Sequence, residues 1–203
     1  ALQYASTFGY TTWLRAQAGY LGNGVAATGA LATRMGLTGV PVIAETIALN
    51  TLFELVRDTR ARVHICRLSS AAGVDLVRRA KAEGLPITCD VSVNHLHLTD
   101  IDIGYFNAAM RLTPPLRQVR DRDALRAGLA DGTIDALVSD HTPVDEDAKT
   151  LPFAEAEPGA TGRRIGGPEP LEDAVSLLGR DAGAIVADVE DPVAAVDPGV
   201  DAD

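Results

Sequence analysis

Four short β-prone runs, separated by segments of helix length, constrain this chain more than any other feature. They fall at residues 11–14, 62–66, 86–91 and 134–139. Strands that alternate with helices imply parallel βαβ units, because a parallel neighbour is reached only through a crossover. Residues 45–59 read as a helix, since Ile47, Leu49, Leu52, Leu55 and Val56 fall near helical spacing. A second helix is predicted over 71–83, with Ser69 and Ser70 as candidate N-caps and Gly84 as its stop. A third covers 121–130 and ends at Asp131-Gly132, and a short one fits 30–35, closed by Gly36. The Gly-rich stretch 19–29 and Gly39-Val40-Pro41 read as turn and breaker, and residues 100–106 as a loop or short helical turn.

The last strand carries the most chemical information. Its apolar run, 134–138, stops abruptly at Ser139-Asp140-His141. Such a strand delivers a carboxylate and an imidazole to its C-terminal end, the end that carries the chemistry of α/β barrels. A closed (β/α)8 barrel needs eight strands and typically about 250 residues. Four strands in 203 residues therefore make half a barrel or a shorter open sheet.

Composition excludes several classes. A net charge of −10 argues against nucleic-acid partners and acidic membrane surfaces. No apolar run reaches the roughly 18 residues of a membrane span, and the first residues carry neither a basic region nor a signal-like apolar core. Cys66 and Cys89 lie in apolar, strand-like runs and read as buried free thiols, which fits a cytoplasmic protein. After residue 162 the character changes. Residues 1–162 form the expected partial barrel. Residues 163–203 form a divergent C-terminal tail, with seven acidic and no basic residues from Asp181 onward, expected to be mobile beyond about residue 180.

Seven segments, 24–45, 63–70, 75–91, 94–100, 114–117, 124–143 and 157–162, together resemble in order and spacing the second half of a dihydroorotase, a cyclic amidohydrolase. The resemblance implies an α/β fold, the C-terminal half of a (β/α)8 TIM barrel. In active members a binuclear zinc site interconverts carbamoyl aspartate and dihydroorotate in pyrimidine biosynthesis. Their ligands are an HxH pair, a bridging carboxylate or carbamylated lysine, two further histidines and a final Asp that is also the catalytic base. The resemblance puts the HxH and bridging positions upstream of Ala1. It matches the two further histidines to Arg15 and Arg67, and the final Asp to Asp140.

Arginine stays protonated and has no lone pair to offer a cation. Asp140 is thus read as a vestigial base facing Arg67 or Arg15, with no zinc cofactor expected. Substrate positions differ too: Thr113 stands where the family usually has Asn, and Val144 where it has His. Pro158 and Gly159 match the loop that closes over the substrate through its backbone. The resemblance is nearest to the inactive dihydroorotase-like chain that partners bacterial aspartate transcarbamoylase. It implies a pseudoenzyme whose partner is that enzyme or a second copy. The alternative is a zinc-dependent dihydroorotase.

The remaining polar candidates read as structural. His64 alternates with apolar neighbours and is expected in the core, facing away from Cys66. His95 and His97 flank Leu96 and would share one face at strand period, a pair the family does not use for metal. His141 reads as a packed, hydrogen-bonded histidine, and residues 145–149 as a solvated charged loop.

Overall fold

The computed structural model describes residues 1–159 and 185–187. Five parallel strands form one sheet in the order β1 (Thr11–Leu14), β4 (Arg62–Ile65), β5 (Ile87–Ser92), β6 (Ala136–Val138) and β7 (Ile185–Ala187). Helices α3 (Val42–Thr59), α4 (Ala71–Ala82) and α6 (Val119–Ala130) supply the crossovers and pack in sequence, α3 on α4 and α4 on α6. A second, two-stranded parallel sheet joins β2 (Ala26–Ala27) to β3 (Gly39–Val40) around α2 (Ala30–Met35).

Strand register sorts the two faces of the main sheet. Val63 pairs with Ile87, Ile65 with Cys89, and Val91 with Leu137. Paired residues on parallel strands point the same way, so these form one apolar face. It packs against Leu49, Val56, Val77 and Leu129 of the helices in one buried core. The opposite face is polar. It carries Trp13, His64, Thr88, Asp90 and Ser92, which are one step out of register with the apolar set.

The three long helices lie where periodicity places them, although α3 starts at Val42 rather than 45. Ser70 caps α4, its hydroxyl accepting from Gly73 N at 3.0 Å. Gly36 closes α2 at φ +66°, a left-handed conformation that glycine adopts without strain.

Several local expectations are overturned. Residues 26–27 and 39–40, read as turn and breaker, pair as strands too short to show a period. Residues 93–97 form a helix, α5 (Val93–His97), so His95 and His97 lie roughly 200° apart around it and share no face. The charged segment contains a one-turn helix, α7 (Glu146–Thr150), and residues 2–7 form α1 (Leu2–Thr7). The fifth strand, β7, was not among the four counted. The boundary expected near residue 162 and the rest of the acidic tail lie outside the described residues. Among the described residues, no helix is long and apolar enough to cross a membrane.

Candidate functional site

The polar groups converge where the parallel strands end. The residues that follow β4 and β6 turn sharply, with Arg67 at φ +56° and Asp140 at φ +50°. Few non-glycine residues adopt a left-handed backbone, and those that do concentrate at functional sites. Here the turns aim the two side chains at each other. Arg67 Nη1 donates to Asp140 Oδ1 at 2.8 Å, with the Asp140 side chain only 9% exposed and that of Arg67 30%. Burial pushes the Asp140 carboxyl above the ordinary range, while Arg67 and the Ser92 hydroxyl pull it back. The Arg67 backbone is pinned as well, its N–H donating to Asp90 Oδ1 at 2.7 Å.

Asp90 also holds His64. The ring places Nε2 2.9 Å from Asp90 Oδ2 and Nδ1 2.7 Å from Thr88 Oγ1, and Trp13 stacks on it at 4.4 Å between centroids. His64 is therefore buried, as expected. The expectation that it faces away from Cys66 fails, because residues two apart on extended backbone share a face. Among the described residues His64, Cys66 and Asp90 form one group whose ligand atoms lie within 4.8 Å of one another. Cys66 is half-buried, and burial followed by the nearby Asp90 charge pushes its thiol up to about 11.

Arg15 follows β1 and reaches the same region, donating from Nη1 to the Thr113 carbonyl at 3.4 Å. Burial lowers its pKa, as does the nearby Arg67 charge. Arg15, Arg67, Arg117, Gln17, Glu45 and Ser69 line one pocket. Three of these, Gln17, Glu45 and Arg117, were missed from sequence. Glu45 is 5% exposed, and its carboxylate accepts from the backbone N–H and hydroxyl of both Ser69 and Ser70 at 2.5–3.1 Å. Arg117, 4% exposed, donates from Nε to Ser69 Oγ at 3.0 Å and from Nη1 to the Val40 carbonyl at 3.4 Å. A sequence signal did exist for Glu45. It stands four residues before Leu49 and so continues the apolar stripe of α3, an unusual place for an unpaired carboxylate.

Gly159 N–H donates to the Arg111 carbonyl at 2.9 Å, and its backbone packs so closely on Thr142 and Val144 that a Cβ would collide with both. The 158–159 segment thus lies against the chain leaving Asp140, with Pro158 exposed and Gly159 buried. His95 is 3% exposed, and neither ring nitrogen has a hydrogen-bond partner.

No family model matches the chain. Individual proteins do. A dihydroorotase-like protein of Pseudomonas aeruginosa is 42% identical over 166 residues, 81% of this chain and 39% of that one. A dihydroorotase of Mycobacterium tuberculosis is 41% identical over 163 residues, 80% of this chain and 38% of its own length. The chain is a homologue of the dihydroorotases. It spans about two fifths of the length of these relatives.

Solved structures show the fold. L-hydantoinase from Arthrobacter aurescens superposes with a TM-score of 0.75 at 23% identity, over 90% of this chain and 42% of that one. D-hydantoinase from Thermus sp. gives 0.67 at 22% identity, over 86% and 40%. The parallel sheet and its helices thus match part of a hydantoinase TIM barrel, the fold that the dihydroorotase resemblance implied. Zinc does not fit the donor set at the strand ends of this chain. Asp140 is one carboxylate, held by a guanidinium with no lone pair to give, and in the neighbouring His64, Cys66 and Asp90 group burial keeps the Cys66 thiol protonated, short of the three ligands a catalytic zinc takes. His64 and Asp90 satisfy each other without a metal, beside the same two arginines.

Proposed function

We propose that the chain belongs to a dihydroorotase-like protein that has lost hydrolysis and serves pyrimidine biosynthesis as a structural partner of aspartate transcarbamoylase. The ion pair between Arg67 and Asp140 supports this reading most directly. In that reading the pair stands where active dihydroorotases hold their metal. On this reading Arg15 and Arg67 replace two ligand histidines, Asp140 is a vestigial base, and Pro158 and Gly159 retain the course of a substrate loop without its chemistry. The partnership rests on the resemblance to inactive dihydroorotase-like chains, and the Pseudomonas aeruginosa relative is named a dihydroorotase-like protein. A cytoplasmic location fits that role.

The second reading is a zinc-dependent dihydroorotase. It draws on the 41% identity to proteins named dihydroorotase. The two readings diverge on metal. The purified protein is expected to hold no stoichiometric zinc and to leave carbamoyl aspartate and dihydroorotate unchanged. Tightly bound zinc found by elemental analysis, or measurable turnover, overturns the non-catalytic reading. Native mass measurement with and without aspartate transcarbamoylase tests the partnership, and no shift in mass would remove it.

A further inference from the structure

We propose that the pocket between Arg15, Arg67 and Arg117 is a binding seat for a small oxyanion, a carboxylate or phosphate group on a soluble metabolite. Three guanidiniums line one pocket, and they are under-neutralised. Among the described residues, no carboxylate oxygen lies within 4.0 Å of the Arg15 or Arg117 guanidinium. The hydrogen bonds of both go to neutral oxygens: the Thr113 carbonyl for Arg15, Ser69 Oγ and the Val40 carbonyl for Arg117. A buried cation is costly unless an anion faces it, and Arg117 is 4% exposed.

Glu45 is the acid that shares the pocket, but both its oxygens are taken by Ser69 and Ser70. It reaches Arg117 only through the Ser69 hydroxyl. Arg67 commits Nη1 to Asp140. Its backbone is fixed by Asp90 and by a left-handed turn, so the guanidinium is preorganised rather than free to swing away. Arg15 feels the neighbouring Arg67 charge more strongly than the opposing Asp140 charge, and a bound anion would relieve the remainder.

Guanidiniums present planar donor forks that match carboxylate and phosphate oxygens. The pocket sits at the C-terminal ends of parallel strands, where α/β barrels bind ligands. The chain as a whole carries a charge of −10 and repels anions. Attraction here is therefore local and should saturate at one site. The seat follows from the arginines and stands whether or not hydrolysis has been lost.

The test is titration calorimetry on the purified protein at low ionic strength, with inorganic phosphate in one arm and succinate in the other. One saturable site is expected in at least one arm. Arg15→Gln should weaken it about tenfold, as loss of one charge-assisted hydrogen bond does. Arg15 is exposed and makes a single long hydrogen bond, so this variant should fold, which circular dichroism verifies. Arg120→Gln, an exposed arginine outside the pocket, should leave binding unchanged. Binding in the phosphate arm alone assigns a phosphate ligand, and in the succinate arm alone a carboxylate. The proposal is overturned by no saturable binding below about 10 mM, a few kcal/mol at most. Equal affinity in Arg15→Gln overturns it too, as does an equal loss in Arg120→Gln.

Discussion

At the residue scale, Asp140 and Arg67 show how a strand-end carboxylate is kept charged in a largely buried place. Each needs the other. Removing one partner of a fully buried pair costs about 3–5 kcal/mol. The Arg67 side chain is 30% exposed, so water screens part of the loss. Asp140→Asn should therefore cost about 1–3 kcal/mol. Asn tolerates the left-handed backbone at this position, so the variant removes charge and not conformation. Combining it with Arg67→Gln should recover part of the loss, and urea unfolding of both singles and the double reads the coupling. Strictly additive losses would mean that solvent, not Arg67, stabilises Asp140.

His95 makes a second prediction at this scale. Burial lowers its pKa to about 4, and the Pro115 and Pro114 carbonyls beside the ring offset that only in part. The folded value lies below the ordinary 6.5, so the unfolded chain takes up the proton first as pH falls. This contribution to stability is whole above pH 6.5 and declines steadily toward pH 4. Its ceiling is about 3 kcal/mol. The drop in unfolding free energy between pH 7 and 5 should shrink in His95→Leu. An unchanged drop would place the acid sensitivity elsewhere. Little of this was legible in the sequence. Asp140 stood out because an apolar run ended on it. The burial of Glu45, His95 and Arg117 depends on contacts between distant segments that no local pattern records.

At the element scale, the long helices were legible because each has apolar spacing, and α4 and α6 also have a glycine or Asp-Gly stop. The strands were legible because each is a short run with β-branched or apolar residues at alternate positions, Val63 and Ile65 in β4 and Ile87 and Val91 in β5. The five-residue α5 was not legible, since it spans less than two turns and alternates like a strand. The junction of α3 and α4 carries the next prediction. Glu45 on α3 clamps Ser69 and Ser70 at the start of α4, and Gly73 faces that carboxylate. In an isolated helix Gly→Ala would gain about 1 kcal/mol. A Cβ on Gly73 would collide with Glu45 Oε1 and press on Leu68 Cδ1 at 3.0 Å. Gly73→Ala should therefore destabilise by about 1–3 kcal/mol, the range for overpacking. A higher urea midpoint in the variant would show that Glu45 has room to retreat and that the clamp is loose.

At the scale of the whole molecule, the sheet has a polar face and a strand, β1, that pairs only with β4 among the described residues. Unpaired edge strands recruit further backbone, and this edge is flanked by aromatic surface. Tyr4, Phe8, Tyr10 and Trp13 are each more than half exposed, with Phe8 stacked on Tyr10 and in tilted contact with Tyr4. Exposed apolar patches of this kind mark interaction surfaces. A further strand, from the same protein, a second copy or a partner, is therefore expected to cover β1, and the chain as given should associate through this edge. Trp13 reports on this directly, because it is the single tryptophan of the sequence and is 66% exposed. Its fluorescence should shift to the blue as concentration rises from about 1 to 100 μM, the range in which interfaces of modest size assemble. Sedimentation should show a heavier species over the same range. Adding aspartate transcarbamoylase at the lowest concentration should produce the blue shift without self-association, if that enzyme is the partner. Trp13→Lys places a charge on the patch and should abolish both responses while leaving the core packing of α3, α4 and α6 intact. A red-shifted monomer at every concentration, with or without the transcarbamoylase, would mean that the β1 edge is not an interface.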